Sequence, residues 1–481
     1  MTSKNNKSPD NALVKSTEVN YRDDVKGSPD KYFFVAMLTR DIELEDAILD
    51  LVDNCIDGAL RVRCNELEEK DRFDGYWAKI NVNEKDFEIE DNCGGIPWEI
   101  AKSVAFRNGA PPNANRPEGS IGTVGIGMKR AIFKLGRSAI VFSDTSEDSY
   151  YVEIPSEWIE EQTNWDFRAY NQEKAVETTG TQIQITDLLD SAKKSFTDGA
   201  FLTDLKTKIS DTYHILISKG FKIYLNGVEV PGRNIEMCYE ETPDNDGKFI
   251  RPFLWKYETD DTKVFIAIGY RRRIRKEDPT NPHYETKTAG ISVICNNRVV
   301  LPYDKTHRTG WGVGDIASFH NQFSSIVGVV DMWSAKISNL PITTTKNGVD
   351  LDSDLYQLIR NALMQGIKIF TSNTTSWKKN ESEVKRRFDN APRRDLSAIK
   401  ACSVGLSWSA KKSIKNASIF KPDLPRKVLS RTDSAISFRK PKSDIRLVSE
   451  FLFDDENEAP KRVGEGTFDY VLKAAEKTRR R

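Results

Sequence analysis

Between Glu45 and Leu60 two faces repeat at helical spacing. Ala47, Ile48, Leu51, Val52, Ile56 and Leu60 form an apolar stripe, and Asp46, Asp50, Asn54 and Asp57 fall at i, i+4, i+8 and i+11 opposite it. The pattern predicts an amphipathic helix that gathers three acids and one amide on one side. A second helix is predicted where the glycine-dense run Gly122-x-x-Gly125-x-Gly127 passes into Met128, Ala131, Ile132 and Leu135, with Gly136 as the stop. Glu88 to Ile96 reads as a strand closing on Asp91 and a sharp glycine turn, and Gly180 and Thr181 open a strand of period-two alternation. Ser138 to Phe142 adds a short strand, and Tyr32 to Leu38 supply the first core residues.

Further along, residues 197–218 are expected to be helical, and Gly220 to Gly232 to form a hairpin with Asn226-Gly227 at its tip. Strands follow in KVFIAIGYRRR, GISVICNNRVVLPYDK and SSIVGVVDMW, and LPITTTKNGVDLDSDLYQLIRNAL ends in a helix. The stretch between Pro97 and Gly119 has few apolar anchors and reads as a loop. Beyond residue 371 the patterning is mixed: a linker or exposed helix, a Pro-containing basic segment that looks extended, the acidic FLFDDENEAP, and a tail helix with a basic end.

Chemistry enters at the glycine run. Glycines let backbone amides approach an anion, a helix start offers unpaired N–H groups at the positive end of its dipole, and Lys129 adds a full charge. The spacing is not that of the P-loop, which needs lysine directly after its last glycine. Nor is it the dinucleotide fingerprint, because Arg130 stands where a third glycine would fall.

Taken in order, the acid-and-amide helix, the Asp-Gly turn, the glycine cradle and the Gly-Thr strand resemble the GHKL ATPase superfamily of gyrase B, the ninety-kilodalton heat-shock chaperones, MutL and MORC proteins. The resemblance implies an α+β chain: a mobile arm at 1–29, a Bergerat-type α/β sandwich ATPase domain at 30–215, and a lid at about 97–120 with Arg107 and Asn108 as phosphate contacts. It further implies that Asn54 coordinates magnesium and that Asp91 accepts the adenine amino group, supported by Thr181 through water. Asp57, Gly95 and Ile96 join the ATP-binding set, as do Gly122, Val124, Gly125, Ile126, Gly127, Met128 and Lys129 around the phosphates. The family's water-polarising glutamate falls at Asp50.

Residues 216–370 extend the resemblance. A strand ending in Asn-Arg-Val, a Gly-Val-Val strand and a Thr-rich loop with Lys346 are similar to the transducer domain of MORC and MutL, which implies that Lys346 reaches the γ-phosphate and acts with Asp50 in catalysis. ATP and magnesium are the implied cofactors, and an ATP-dependent homodimer the implied assembly. Two departures stand out. Aspartate at position 50 is shorter than glutamate by a methylene, about 1.5 Å, and a catalytic group misplaced by about 1 Å costs on the order of a hundredfold. Cys93 stands where the family's first glycine of the turn is expected. An ATP-binding regulatory module with little or no hydrolysis is therefore the alternative to an ATPase.

Composition narrows the setting. The 481 residues allow two or three domains, and neither an apolar run of spanning length nor a charged-then-apolar N-terminus is present, so no membrane partner and a cytoplasmic location are expected. Six scattered cysteines without a C-x-x-C pair point to buried thiols. The net charge is zero, yet residues 371–481 carry +11 and the remainder −11, so this basic C-terminal region is a candidate for nucleic-acid contact, as is the Arg271–Lys276 run. His214, His283, His307 and His320 all follow the ATP motifs, and none sits in an acidic helical phosphoacceptor setting, which argues against a histidine kinase.

Overall fold

The computed structural model describes residues 30–479 apart from 64–72, 110–115, 123–124, 162–163, 174–178, 244–246, 272–286, 377–389, 412–413 and 426–435. The N-terminal arm, Cys64, Val124, His283 and most of the Arg271–Lys276 run lie outside these residues. Contacts divide the chain into Met1–Arg426 and Lys427–Arg481.

An eight-stranded sheet organises the first half of the larger unit. Its strands are β1 (Trp77–Val82), β2 (Phe87–Asp91), β3 (Gly136–Asp144), β4 (Ser149–Ile154), β5 (Arg168–Asn171), β6 (Gly180–Leu188), β7 (Lys222–Leu225) and β8 (Val228–Glu229), in the order β5-β4-β3-β6-β2-β1-β7-β8. Neighbours are antiparallel except β1 and β7. The acid helix (Leu44–Val62), the cradle helix (Gly127–Leu135) and a long helix (Gly199–Ser218) share one apolar core with the strands, where Ile48, Val52, Ile132, Ile185 and Ile209 are fully buried. The apolar stripe read from the acid helix is thus its core face.

A seven-stranded sheet follows, with β10 (Phe253–Glu258), β11 (Thr262–Tyr270), β12 (Gly290–Cys295), β13 (Arg298–Asp304), β14 (Ile326–Ser334), β16 (Ser409–Ala410) and β17 (Ala417–Phe420) in the order β13-β12-β14-β11-β10-β17-β16. The helix Asp354–Ser376 buries Ile359, Leu363, Ile367 and Phe370 on one face, and Leu396 and Ile399 of the helix Leu396–Cys402 pack on the other. The short strands β9 (Glu236–Cys238) and β15 (Arg393–Asp395) pair with each other.

Several expectations change. The hairpin at 220–232 pairs through β7 with β1, so it completes the first sheet and the boundary expected at 215 moves beyond it. Likewise β17 pairs with β10, so residues up to about 426 belong to the second sheet and not to a separate basic region. The run at 97–105 is a helical turn, Trp98–Ile100 continued by Ala101–Ala105, because Ala101, Tyr150 and Val152 form a small core with Ile96, Phe106 and Phe167. Finally, Tyr32, Phe33 and Met37 of the helix Lys31–Arg40 are exposed. The residue buried there is Lys31, whose ammonium lies 4.1 Å from the Trp158 ring and donates to the Trp158 carbonyl at 2.8 Å.

The unit Lys427–Arg481 contains two helices, Lys442–Phe453 and Pro460–Arg479. Asp454 turns the chain in a left-handed conformation, φ 54°, and Gly466 then lies against Phe453 and Leu452, so the pair forms a hairpin. Among the described residues no helix is long and apolar enough to cross a membrane.

Candidate functional site

A cavity of about 940 Å³ lies where the acid helix, the cradle and the Lys346 loop meet. Asp50, Asn54, Asp57, Asp91, Ile96, Gly122, Gly125, Ile126, Gly127, Met128, Lys129, Thr181 and Lys346 all line it, although the chain separates the first from the last by almost 300 residues. Gly95 does not line it. That glycine packs against the backbone of Asp144, its carbonyl accepts from Arg61, and its φ of 68° serves the turn. Arg107 and Asn108 are exposed and do not line the cavity. Arg116 lines it instead and donates to the Gly122 carbonyl.

One end is closed by Asp91. Its Oδ1 accepts from the backbone N–H of Cys93 at 2.8 Å and of Thr181 at 3.2 Å. Thr181 reaches it because Gly180 starts β6 hard against β2. A Cβ at that glycine would fall 1.9 Å from the Asp91 carbonyl oxygen. Thr181 thus bonds Asp91 directly through its main chain. Burial pushes the Asp91 pKa up, and the two amides oppose that shift.

The polar stripe of the acid helix divides by role. Asp46 is held by Lys208 at 2.6 Å and by Asn347. Asp57 accepts from the amides of Ile121 at 2.7 Å and Gly122 at 2.8 Å, so it pins the cradle and occupies an amide expected to face phosphate. Asp50 is gripped by Arg130 through both Nε and Nη2, and Lys346 Nζ lies 3.1 Å from its Oδ1. Among the described residues only Asn54 of this stripe is exposed, facing the cavity with no protein partner in hydrogen-bond reach. A free carboxamide oxygen suits magnesium, which takes few protein ligands and keeps waters and phosphates for the rest. No cluster of three or more His, Cys, Asp or Glu that could hold a metal occurs among the described residues.

Asp50 leads into a buried ionic network that the two sheets share. Lys346 Nζ lies 2.7 Å from Asp53 Oδ2, and Arg298 Nε 2.9 Å from Asp53 Oδ1. The Tyr213 hydroxyl sits 2.7 Å from that same oxygen, and Arg298 also donates to the Lys346 carbonyl. Burial would raise the Asp53 pKa, but Arg298 and Lys346 outweigh it and hold the carboxyl below its usual range. For Lys346 burial acts downward, and Asp53 and Asp50 more than offset it. The lysine adopts φ 55°, a left-handed conformation that costs a side chain about 1–2 kcal/mol, so its loop is shaped around that ammonium.

Lys129 differs. Its ammonium is buried, donates to the carbonyls of Ala105 at 2.8 Å and Gly125 at 3.0 Å, and is drawn down to about 7 by burial alone. Lys129 thus ties the helical turn that ends at Ala105 to the cradle.

The sequence reading missed Asp53, Arg130, Arg298 and Tyr213. A signal existed for the first: Asp53 sits between Val52 and Ile56 on the core side of the helix, and a carboxylate there requires a cation. No curated protein matches the chain. Residues 42–189 match the family described as histidine kinase-, DNA gyrase B-, and HSP90-like ATPase, so the N-terminal domain that holds most of this cavity is of the GHKL ATPase type.

Proposed function

We propose that the protein is an ATP-operated switch that binds Mg-ATP, dimerises in response and slowly hydrolyses ATP to ADP and phosphate. One observation carries the reading. A single hollow gathers the uncommitted carboxamide of Asn54, the buried carboxylate of Asp91 and the cations Lys129, Arg130 and Lys346. The cations suit a polyanion, Asn54 its metal ion, and Asp91 an exocyclic amine of a purine.

When bound, magnesium would neutralise phosphate charge. Asn54 would hold it. Lys346 supplies a buried positive charge where negative charge develops on the phosphoryl group, and carrying it on the second sheet lets that sheet respond as a MORC- or MutL-like transducer does. Asp50 polarises water once the triphosphate draws Arg130 and Lys346 away from it. Nucleic-acid contact through residues 371–435, which carry +9, extends the reading. The grip on Asp50 favours a second reading, ATP binding with little or no hydrolysis.

Nucleotide binding, sizing and phosphate release separate these. Wild type is expected to bind a non-hydrolysable ATP analogue with magnesium and to shift toward dimer, and Asn54→Ala to do neither. Phosphate release is expected to drop by about a hundredfold or more in Asp50→Asn. Equal background release from both proteins, with binding retained, selects the second reading. Failure of the wild type to bind ends both.

A further inference from the structure

Among the described residues five carboxylates line the cavity: Asp50, Asp57, Asp91, Glu99 and Glu118. Hydrolysis needs an acceptor for a proton of the attacking water, and these five differ in what already occupies their oxygens. Asp57 accepts from the amides of Ile121 and Gly122, and Asp91 from those of Cys93 and Thr181. Asp50 has Arg130 on its Oδ2 and Lys346 at its Oδ1. A proton arriving at any of these three competes with donors already in place, and at Asp50 those donors are cations. Glu99 and Glu118 are exposed, and no described group bonds to either carboxylate.

Those two acids stand at different ends. Trp98, next to Glu99, meets Tyr150 edge to face at 5.1 Å, and the Tyr150 hydroxyl donates to the Ile96 carbonyl at 2.7 Å. Ile96 follows closely on Cys93, whose amide serves Asp91, so Glu99 belongs to the Asp91 end. Glu118 belongs to the other. Its neighbour Gly119 lies against the indole of Trp333 on β14, where a Cβ would fall 3.2 Å from Nε1. The Ser120 carbonyl accepts from Asn296, between β12 and β13, at 3.1 Å, and the Ile121 and Gly122 amides that follow open the glycine cradle on Asp57. Trp333 lines the cavity together with Lys346. Glu118 is thus the uncommitted carboxylate on the phosphate side, and it has the longer side chain that position 50 lacks.

We propose that Glu118 is the general base of ATP hydrolysis, and that Asp50 orients the water without taking its proton. The assignment rests on the ATPase reading above. The water oxygen bonds to the γ-phosphorus as the bond from that phosphorus to the β–γ bridging oxygen breaks. ADP leaves with the electron pair of the broken bond, and the water's proton passes to Glu118, whose exposed side returns it to solvent. The test is phosphate release by the full chain with magnesium and ATP, with binding of a non-hydrolysable analogue measured alongside. Glu118→Gln is expected to lower kcat by about a hundredfold and not to weaken binding, because removing a negative charge beside phosphate costs no affinity. Wild-type kcat is expected to fall on acidification, as the base takes up a proton from solvent, and Glu118→Gln to lose that dependence. Glu118→Asp is expected to keep the dependence at an intermediate rate. The side chain is exposed, so these changes leave the fold intact. An unchanged kcat in Glu118→Gln, or an acid dependence that persists in it, overturns the assignment. So does a wild type that binds the analogue yet releases no phosphate, an outcome that leaves the binding reading standing. A wild type that binds no nucleotide ends the function proposed above and this assignment with it.

Discussion

The two ends of the cavity are built by different means. At the Asp91 end every backbone donor to the carboxylate comes from the first sheet and its turn: Cys93 two residues on, and Thr181 on the adjacent strand. At the other end Asp53 is met by Arg298, 245 residues away on β13 of the second sheet, and by Lys346, 293 residues away on the loop that follows β14. Strand register makes the first end. Docking of two sheets makes the second, and nothing local would hold Lys346 there without it. A carboxylate fixed by backbone amides keeps its place whether or not a ligand is present, whereas one shared among side-chain cations competes for them with any anion that arrives.

Substitutions should separate the ends by the size and kind of effect. The largest is expected from Asp53→Ala, which leaves Arg298 buried without its acid and Lys346 with Asp50 alone. Removing one partner of a buried pair costs about 3–5 kcal/mol, read as a lowered urea midpoint of the chain. Equal midpoints for the variant and wild type would mean that the ionic network does not hold the sheets together. Asp91→Asn comes next and acts on affinity with little change in stability, because an amide oxygen still accepts from Cys93 and Thr181. Loss of a charged acceptor is worth about ten- to a hundredfold in Kd for an adenine nucleotide, and titration calorimetry measures it.

The smallest effect concerns pH. Lys129 in the free protein has its pKa drawn down to about 7, and phosphate nearby raises it. Below pH 7 the lysine is already charged, so affinity is flat in this respect. Above pH 7 binding takes up a proton, and affinity falls by up to about tenfold per unit until the pKa of the bound state is reached. The slope should vanish in Lys129→Met. Proton uptake that persists in that variant assigns it elsewhere.

What could be read from the sequence follows the same divide. The acid stripe, the Asp91 turn, the cradle helix and the Gly180–Thr181 strand are local patterns with periods of 3.6 or 2, and each stands in the fold where its spacing put it. Lys346 was found by resemblance and does line the cavity. Its partners were not legible, because Arg298 sits in a strand of apolar neighbours and only three-dimensional docking sets it against Asp53. Arg130 was noticed merely as a missing glycine, yet it is the residue that grips Asp50. The domain boundary at 215 falls before a strand of the first sheet for a related reason: turn chemistry predicts the hairpin at 220–232 but carries no information on which strand it joins. Tyr32 and Phe33 misled because an apolar run was equated with a core.

The helix Gly199–Ser218 belongs to both halves. Its Ile209 and Leu205 sit in the core of the first sheet, its Tyr213 reaches Asp53, and its flank lies along β13 of the second. It works as a party wall between two houses. Neither half can be cut away at residue 215 without stripping the other of a side, so the two sheets are expected to melt together. Any movement that separates the sheets must slide along this helix, not swing on a hinge beside it.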